Sequence, residues 1–222
     1  MIIFFCYAAF SHMDSMKLWD YHTHNKLCQH AEGTLEEYVI ASIEKGLAEI
    51  GLSDHFPMYL LPEIAHVWQY SMKKEEFPLY LEEVQRLKEK YRDQIVVRVA
   101  SEVDFYASCF SEYKTAVRPY LDKMDYILGS IHVVGPWENT DAFGVDDDIG
   151  VEKCRQFGAD KVYLEYYKGL EALVATGFYN ILGHLDLPKK FGVLPETPDL
   201  VHEKVLTLLD LIAKSDMSVE IN

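Results

Sequence analysis

The sequence predicts an α/β domain in which helices cover a parallel β-sheet. Short β-type runs alternate with amphipathic runs along the chain, which is the pattern of repeated βα units. Apolar residues make up 49% of the 222 residues and charged residues 26%, as in ordinary globular domains. No Ser/Gly-rich linker or repeated block follows Met16, so we expect one domain over residues 16–222.

Six β-type runs define the predicted strands. Each run is short and carries β-branched or aromatic residues. The runs cover residues 17–22, 48–55, 95–102, 125–132, 178–184 and 217–222. Because helix-type runs separate them, we expect the strands to pair in parallel.

Five amphipathic runs predict the helices between these strands. The first is the clearest, since Thr34 followed by Glu37 forms a capping box and predicts a helix over residues 35–44 that ends near Gly46. Pro78 is a favoured first-turn residue and begins the second predicted helix. The remaining runs predict helices over residues 112–121, 160–175 and 198–214.

Histidine or glutamate stands at the carboxyl end of nearly every predicted strand. These residues are His22, His24, His55, Glu102, His132 and His184. In a βα barrel the carboxyl ends of the strands meet on one face, so six potential ligands would surround one cavity. The H-x-H pair of the first strand would point to one side of a continuing strand. Imidazole and carboxylate suit borderline and hard divalent ions, so we expect two or three metal ions drawn from Zn, Mn and Fe.

Other polar residues have competing interpretations. His30 precedes the capping box, where a plain loop histidine is the default, and Cys28 is interpreted as a small buried thiol beside the site. The acidic run 146–148 lacks the ligand spacing of a calcium loop and is predicted to be a solvated loop. No role is assigned to the remaining histidines, His12, His66 and His202.

The net charge bears on possible partners, and the cysteine spacing and the first 15 residues bear on location. The chain has 21 Lys and Arg against 36 Asp and Glu, a formal net charge of −15, so we expect neither nucleic acid nor membrane as a partner. The four cysteines show no C-x-x-C pair, and we expect reduced thiols in the cytoplasm. Residues 1–15 contain an apolar stretch too short to span a bilayer and are interpreted as a leader or a non-native start.

The motifs taken together resemble a known family. DYHTHN, His30 with EGT, GLSDH, ASEVDF, GSIH and GHLDL follow the order of motifs in the PHP (polymerase and histidinol phosphatase) superfamily. The sequence is most similar to its stand-alone histidinol-phosphatase branch, from Met16 to the last residue. The resemblance implies a distorted TIM-like (β/α)7 barrel with a centre of three metal ions.

The resemblance also implies which residues bind each ion. The ligands fall into three sets, with one carboxylate shared by two of them: His22, His24 and Glu102; Glu102, His132 and His184; and His30 with His55. Family members complete the centre with an Asp and a His after a further strand, and no such motif follows here. We therefore expect a C-terminally truncated barrel with about six strands, one βα unit short.

The activity implied by the resemblance is the hydrolysis of a small phosphorylated substrate, L-histidinol phosphate, in histidine biosynthesis. The expected catalytic residues are Glu102, His132, His184 and Asp186. Asp54 and Asp186 adjoin proposed ligands and would orient imidazoles, although packing or capping explains them equally well. Three cations in predicted loops after the fourth and fifth strands are candidates for binding phosphate, with a surface role equally open: Arg155, Lys189 and Lys190.

Other functions stay open on the sequence. Amidohydrolases also carry H-x-H after the first strand, but they lack counterparts of GLSDH and ASEVDF. A different PHP phosphoesterase, or the exonuclease module of a DNA polymerase, would use the same ligands, although the charge of −15 argues against the exonuclease. A noncatalytic metal-binding fragment is the alternative from a different class, because part of the family's ligand set is absent.

Overall fold

A parallel sheet forms the centre of the protein, whose computed structural model describes residues 17–62, 67–137 and 141–221. Six strands pair in the order β1-β2-β3-β4-β7-β8, and every pairing between them is parallel, as predicted. The strands are β1 Trp19–Asp20, β2 Glu49–Leu52, β3 Val96–Asp104, β4 Tyr126–Ser130, β7 Ile181–Leu182 and β8 Ser218–Val219. A separate antiparallel pair, β5 Val133–Val134 and β6 Phe143–Gly144, lies between β4 and β7 in the chain.

Helices connect the successive strands of the sheet. Those in the described ranges are α1 Leu35–Glu44, α2 Phe77–Lys90, α3 Phe110–Val117, α4 Asp148–Phe157, α5 Ala159–Ala175 and α6 Pro198–Ile212. None of them is both long enough and apolar enough to cross a bilayer. The mixed α/β class and the succession of βα units are therefore confirmed.

The capping box at the start of α1 is present as predicted. The Thr34 N–H donates to Glu37 Oε2 at 2.7 Å, and the Glu37 N–H donates to Thr34 Oγ1 at 3.3 Å. The helix ends at Glu44, and Gly46 follows with a φ of +74° that favours glycine. Because both ends of α1 are set by local hydrogen bonding, its bounds match the predicted ones.

The helices differ from the prediction in two main places, in addition to the unpredicted β5–β6 pair and to β3, which continues past residue 102 to Asp104. The interpretation of residues 146–148 as a solvated loop was wrong, because the Asp147 carboxylate accepts a hydrogen bond from the Gly150 N–H at 2.8 Å and caps α4. A sixth helix therefore stands where five were expected. The helix predicted over 112–121 divides into α3 and a 3₁₀ helix, Arg118–Lys123, because Pro119 cannot donate the backbone hydrogen bond that a longer α-helix needs.

The sheet curls into a half-barrel. Its two edge strands are β1 and β8, yet residues that follow them meet, since Glu220 Oε1 lies 2.9 Å from His22 Nδ1. Tyr126 crosses the inside of the curve and donates its hydroxyl proton to the Tyr21 carbonyl at 2.5 Å. Only glycine fits beneath this ring, because a Cβ at Gly51 would lie 1.8 Å from the Tyr126 hydroxyl oxygen. The curl brings the carboxyl ends of all six strands to one rim.

The apolar core lies between the sheet and the helices, and one buried hydroxyl in it supports the rim. Tyr80 of α2 is 2% exposed, and its hydroxyl proton is shared between the Leu52 and Ala100 carbonyls at 2.6 and 2.9 Å. The same oxygen accepts the Asp54 N–H at 3.2 Å. Tyr80 therefore joins the end of β2 to the middle of β3, two residues before Glu102.

We expect Tyr80→Phe to lower the free energy of unfolding by about 1–3 kcal/mol, because buried peptide groups lose their partner. Tyr91→Phe is the control, and we expect a smaller loss than in Tyr80→Phe, because its acceptor Glu36 is accessible to solvent and keeps its ion pairs with Arg86 and Lys90. Urea unfolding measures both. Equal losses in the two variants would contradict the role given to Tyr80.

Candidate metal centre

Seven polar side chains converge on one cavity at the carboxyl ends of the strands. The cavity has a volume of about 260 Å³. Its lining includes every metal ligand predicted from the sequence: His22, His24, His30, His55, Glu102, His132 and His184. They follow β1, β2, β4 and β7, apart from Glu102, which lies within β3, and His30, which lies in the loop before α1. The structure thus brings together residues that are up to 162 positions apart in the sequence.

Glu102 occupies the middle of this cluster and is fully buried. Its Oε2 atom lies 3.0 Å from His22 Nε2, 3.1 Å from His24 Nε2 and 3.1 Å from His55 Nδ1. His55 also reaches β3 through its backbone, in an isolated parallel bridge to Glu102. One carboxylate oxygen is therefore approached by three imidazole nitrogens from two different strand ends.

The other carboxylate oxygen has its own pair of imidazoles. Glu102 Oε1 lies 3.2 Å from His184 Nε2 and 3.7 Å from His132 Nε2. These two nitrogens are 3.1 Å from each other. Glu102 is thus placed to bridge two groups of nitrogen ligands.

The buried polar atoms of this cluster fit divalent cations. Glu102 Oε2 and His55 Nδ1 are 3.1 Å apart, yet neither atom makes a hydrogen bond of acceptable geometry among the described residues. Leaving such atoms unpaired in the interior is costly. His22 Nε2 and His24 Nε2 also face each other at 3.0 Å. A cation between these nitrogens and oxygens would satisfy all of them, and the donor set is one that Zn, Mn and Fe accept.

Potential ligand atoms within 4.8 Å of one another form several groups. Three of them consist of predicted ligands: His22, His24 and Glu102; His55, Glu102 and His132; and His24, His30 and His55. The first group is the set predicted for the first ion, and the third contains both residues predicted for the third ion. The assignment of each residue to a particular ion stays a prediction.

Electrostatics keep the central carboxylate charged. Burial opposes the ionisation of Glu102, but the imidazoles of His55 and His22 prevail and hold the pKa of Glu102 well below its usual range. Burial likewise opposes the protonation of His22, but Glu102 and Glu220 outweigh it and raise the pKa of His22 to about 10. The centre therefore attracts positive charge, which protons or metal cations can supply.

Two carboxylates that sequence reasoning missed hold the outer nitrogens of the imidazoles. Asp104 Oδ1 lies 2.7 Å from His132 Nδ1, and Glu220 Oε1 lies 2.9 Å from His22 Nδ1. Each contact fixes one ring nitrogen and leaves Nε2 directed into the cluster. Asp104 could have been found, because it stands two residues after Glu102 and so shares its face of the strand. Glu220 directly follows the last strand, as the predicted ligands follow theirs.

One of the three predicted phosphate-binding cations lines the cavity. Lys190 does so, with its Nζ 3.0 Å from Asp146 Oδ2 at the mouth. Asp146 also lines the cavity, which is a second reason why the solvated-loop interpretation was wrong. Lys189 is exposed and pairs with Asp186 at 3.0 Å. The predicted loop position of Arg155 was wrong, because the residue is exposed on α4 after the cap at Asp147 has started that helix.

The remaining candidates lie around the cluster. Asp54 is buried but accepts hydrogen bonds from the Asn25 N–H and the Cys28 thiol, both at 2.9 Å, rather than from an imidazole. Cys28 is a fully buried thiol, as predicted, and its Sγ lies 3.4 Å from His24 Nδ1. Asp186 is half-exposed and does not line the cavity. Of the histidines given no role, His202 is exposed on α6, and His12 and His66 lie outside the described residues.

Comparison with protein-family models identifies the family of the chain. Residues 20–222 match the family model of the PHP domain. The chain belongs to the PHP domain family. The family resemblance inferred from the motifs is therefore confirmed, and the amidohydrolase alternative is not supported.

Curated relatives identify the branch of the PHP family to which the chain belongs. A Deinococcus radiodurans protein named "Probable histidinol-phosphatase" is 34% identical over 208 residues, which cover 92% of this chain and 73% of that protein. The Bacillus subtilis histidinol-phosphatase is 28% identical over 217 residues, which cover 93% and 80%. These relatives place the chain in the histidinol-phosphatase branch.

Two solved structures share the fold. A Listeria monocytogenes crystal structure superposes with a TM-score of 0.80 at 22% identity and covers 91% of this chain and 81% of its own. The Lactococcus lactis histidinol phosphate phosphatase, solved with Zn, L-histidinol and phosphate, gives a TM-score of 0.71 at 23% identity and covers 93% and 73%. The predicted distorted TIM-like architecture of the PHP type is thus confirmed at the level of fold.

We expect Glu102→Gln to reduce metal content and to lower any metal-dependent activity by at least about 100-fold, because a neutral amide no longer attracts cations into the cluster. Glu203→Gln is the control, since Glu203 is exposed on α6. Elemental analysis after equilibration with Zn²⁺ measures the bound metal. Full metal content and full activity in Glu102→Gln would show that Glu102 is not the central ligand.

Metal removal is expected to lower the melting temperature. Ions bound only to the folded state at about 100 times their dissociation constant add about 2.7 kcal/mol. For a domain of this size that corresponds to roughly 5–10 °C. Calorimetry with and without a strong chelator measures the difference, and identical melting curves after verified metal removal would contradict the prediction.

Proposed function

We propose that this protein is a metal-dependent phosphomonoesterase that hydrolyses L-histidinol phosphate to L-histidinol and phosphate in histidine biosynthesis. The observation that carries the proposal is the arrangement of five imidazoles around the buried Glu102 carboxylate. The named function of the curated relatives, and the ligands of the Lactococcus lactis structure, supply the substrate.

The ligand sets given by the resemblance define the proposed centre. Two or three divalent ions, chosen among Zn, Mn and Fe, would be held by His22, His24 and Glu102, by Glu102, His132 and His184, and by His30 with His55. When bound, such ions supply positive charge to the phosphoryl oxygens and lower the pKa of the attacking water. Glu102 would attract these ions, because it stays ionised in a buried position.

The other cavity residues favour direct attack by water. The described lining contains no Ser, Thr or Cys nucleophile, its imidazoles are the proposed metal ligands, and Asp146 is paired with Lys190, so the proposal assigns the attack to water. Lys190 stands at the mouth, where its ammonium group can leave Asp146 to bind phosphate. Met58, Tyr70 and Leu187 give part of the lining an apolar character suited to the carbon skeleton of a small substrate.

The proposed location is the cytoplasm. The cysteines in the described ranges, Cys28, Cys109 and Cys154, are free thiols. Free thiols are stable in a reducing compartment, where amino-acid biosynthesis takes place.

The test is a substrate panel on the purified chain loaded separately with Zn²⁺, Mn²⁺ or Fe²⁺. Release of phosphate from L-histidinol phosphate is compared with release from p-nitrophenyl phosphate and with cleavage of a single-stranded oligonucleotide. We expect L-histidinol phosphate to have the highest kcat/KM. Preferred cleavage of the oligonucleotide would favour the exonuclease alternative, and binding of metal without any hydrolysis would favour a noncatalytic fragment.

Lys190→Gln is expected to lower kcat/KM for L-histidinol phosphate by roughly 10–100-fold, because a hydrogen bond to a charged group contributes about 1.5–3 kcal/mol. Lys189→Gln is the matched control, since the neighbouring ammonium group pairs with Asp186 away from the cavity. Steady-state kinetics measure both variants. An equal decrease in kcat/KM in both variants would show that Lys190 does not bind the phosphate group.

A further inference from the structure

His184 has an unusual backbone conformation for a residue at the centre of the site. Its φ is +20°, and in the described part of the chain only one other residue besides glycine, Gln29, has a positive φ. Such conformations persist where the surrounding structure enforces them. The conformation directs His184 Nε2 to within 3.2 Å of Glu102 Oε1. The position of this imidazole therefore depends on whatever holds the His184 backbone.

Two side chains hold both backbone polar groups of His184. The His184 N–H donates to Glu220 Oε2 at 2.7 Å, and the His184 carbonyl accepts the hydroxyl proton of Tyr166 at 2.5 Å. Tyr166 lies on α5 and is fully buried. Glu220 directly follows β8, and its side chain is 13% exposed. The peptide groups on either side of the His184 Cα are thus fixed from two different elements.

The second oxygen of Glu220 acts on a different imidazole. Glu220 Oε1 lies 2.9 Å from His22 Nδ1. When a metal ion takes the place of the second proton, a neutral His22 with its proton on Nδ1 would present the Nε2 lone pair to the ion, and this Nε2 lies 3.0 Å from Glu102 Oε2. Because His22 follows one edge strand and Glu220 follows the other, this carboxylate connects the two edges of the curled sheet.

We propose that Glu220 and Tyr166 are positioning residues that set the geometry of His22 and His184 and thereby the affinity of the centre for metal. The proposal rests on the metal centre of the proposed function. Neither residue touches Glu102; they act through the two imidazoles that do. Residues that orient metal ligands in this way typically change metal affinity or activity by 10–100-fold when they are replaced.

Glu220→Gln tests the shared carboxylate. Glu220 accepts two hydrogen bonds, one at each oxygen, from the His184 N–H and from His22 Nδ1. A glutamine has a single amide oxygen, so one of the two donors must face its NH₂ group. The substitution keeps the size of the side chain and removes one contact.

Tyr166→Phe tests the other side of His184, and the chain offers a close control. Tyr163 lies one turn earlier on α5, is also fully buried, and donates its hydroxyl proton to the Val193 carbonyl at 2.6 Å. Tyr163→Phe therefore removes a partly buried hydrogen bond of similar length from the same helix, and this bond has no connection to the site. A general loss of stability would affect both tyrosine variants, whereas loss of positioning would affect Tyr166→Phe alone.

The experiment measures Zn²⁺ binding to the metal-free full chain by competition with a chromogenic chelator, together with kcat and KM for L-histidinol phosphate. We expect Glu220→Gln and Tyr166→Phe to weaken Zn²⁺ binding by about 10–100-fold and to lower kcat, with KM close to that of the wild type. Tyr163→Phe should bind Zn²⁺ like the wild type. If Glu220→Gln does not fold, the difference in Zn²⁺ affinity between Tyr166→Phe and Tyr163→Phe tests the proposal by itself.

Wild-type Zn²⁺ affinity in Tyr166→Phe, or an equal loss in Tyr163→Phe, would overturn the proposal. The proposed function fails in a different way. A wild-type chain that binds Zn²⁺ but hydrolyses no phosphate ester would refute the phosphatase activity, while the effects of the variants on Zn²⁺ binding would still test the positioning residues.

Discussion

The negative charge of Glu102, buried among imidazoles, is the constraint on which the rest of the site depends. An ionised carboxylate in the interior is costly unless opposite charge lies close to it. Protonation of an imidazole beside the carboxylate, such as His22, supplies part of that charge. Divalent cations would supply more of it, because carboxylate oxygens and imidazole nitrogens are both ligands that such cations accept. The centre is therefore incomplete in an electrostatic sense until positive charge enters it.

The fold supplies this arrangement through the curl of the parallel sheet. Strand ends that would lie in a row along a flat sheet meet around one cavity. Two tyrosine hydroxyls connect the strands: Tyr80 joins β2 to β3, and Tyr126 joins β4 to the residue after β1. The acidic side chains Asp104 and Glu220 then fix individual rings.

Local signals explain what the sequence predicts well. Thr34 and Glu37 determine the start of α1 within one turn of chain, and most of the ligands are recognisable because they follow directly after a strand. Signals that depend on tertiary contact were missed. The three consecutive carboxylates 146–148 look solvated, but Asp147 caps a helix and Asp146 turns toward the cavity. The contact between Glu220 and His22 depends on the curl of the sheet, which brings the residue after β8 close to the residues after β1, so no local sequence signal predicts it.

The most direct measurement of the central claim is anomalous X-ray diffraction from crystals of the metal-loaded chain, collected at the absorption edge of the bound element. The account predicts at least two anomalous peaks inside the cavity, one on each side of the Glu102 carboxylate and each within coordination distance of imidazole nitrogens. Peaks confined to the protein surface, with the Glu102 carboxylate and its imidazoles in contact with no metal, would contradict it.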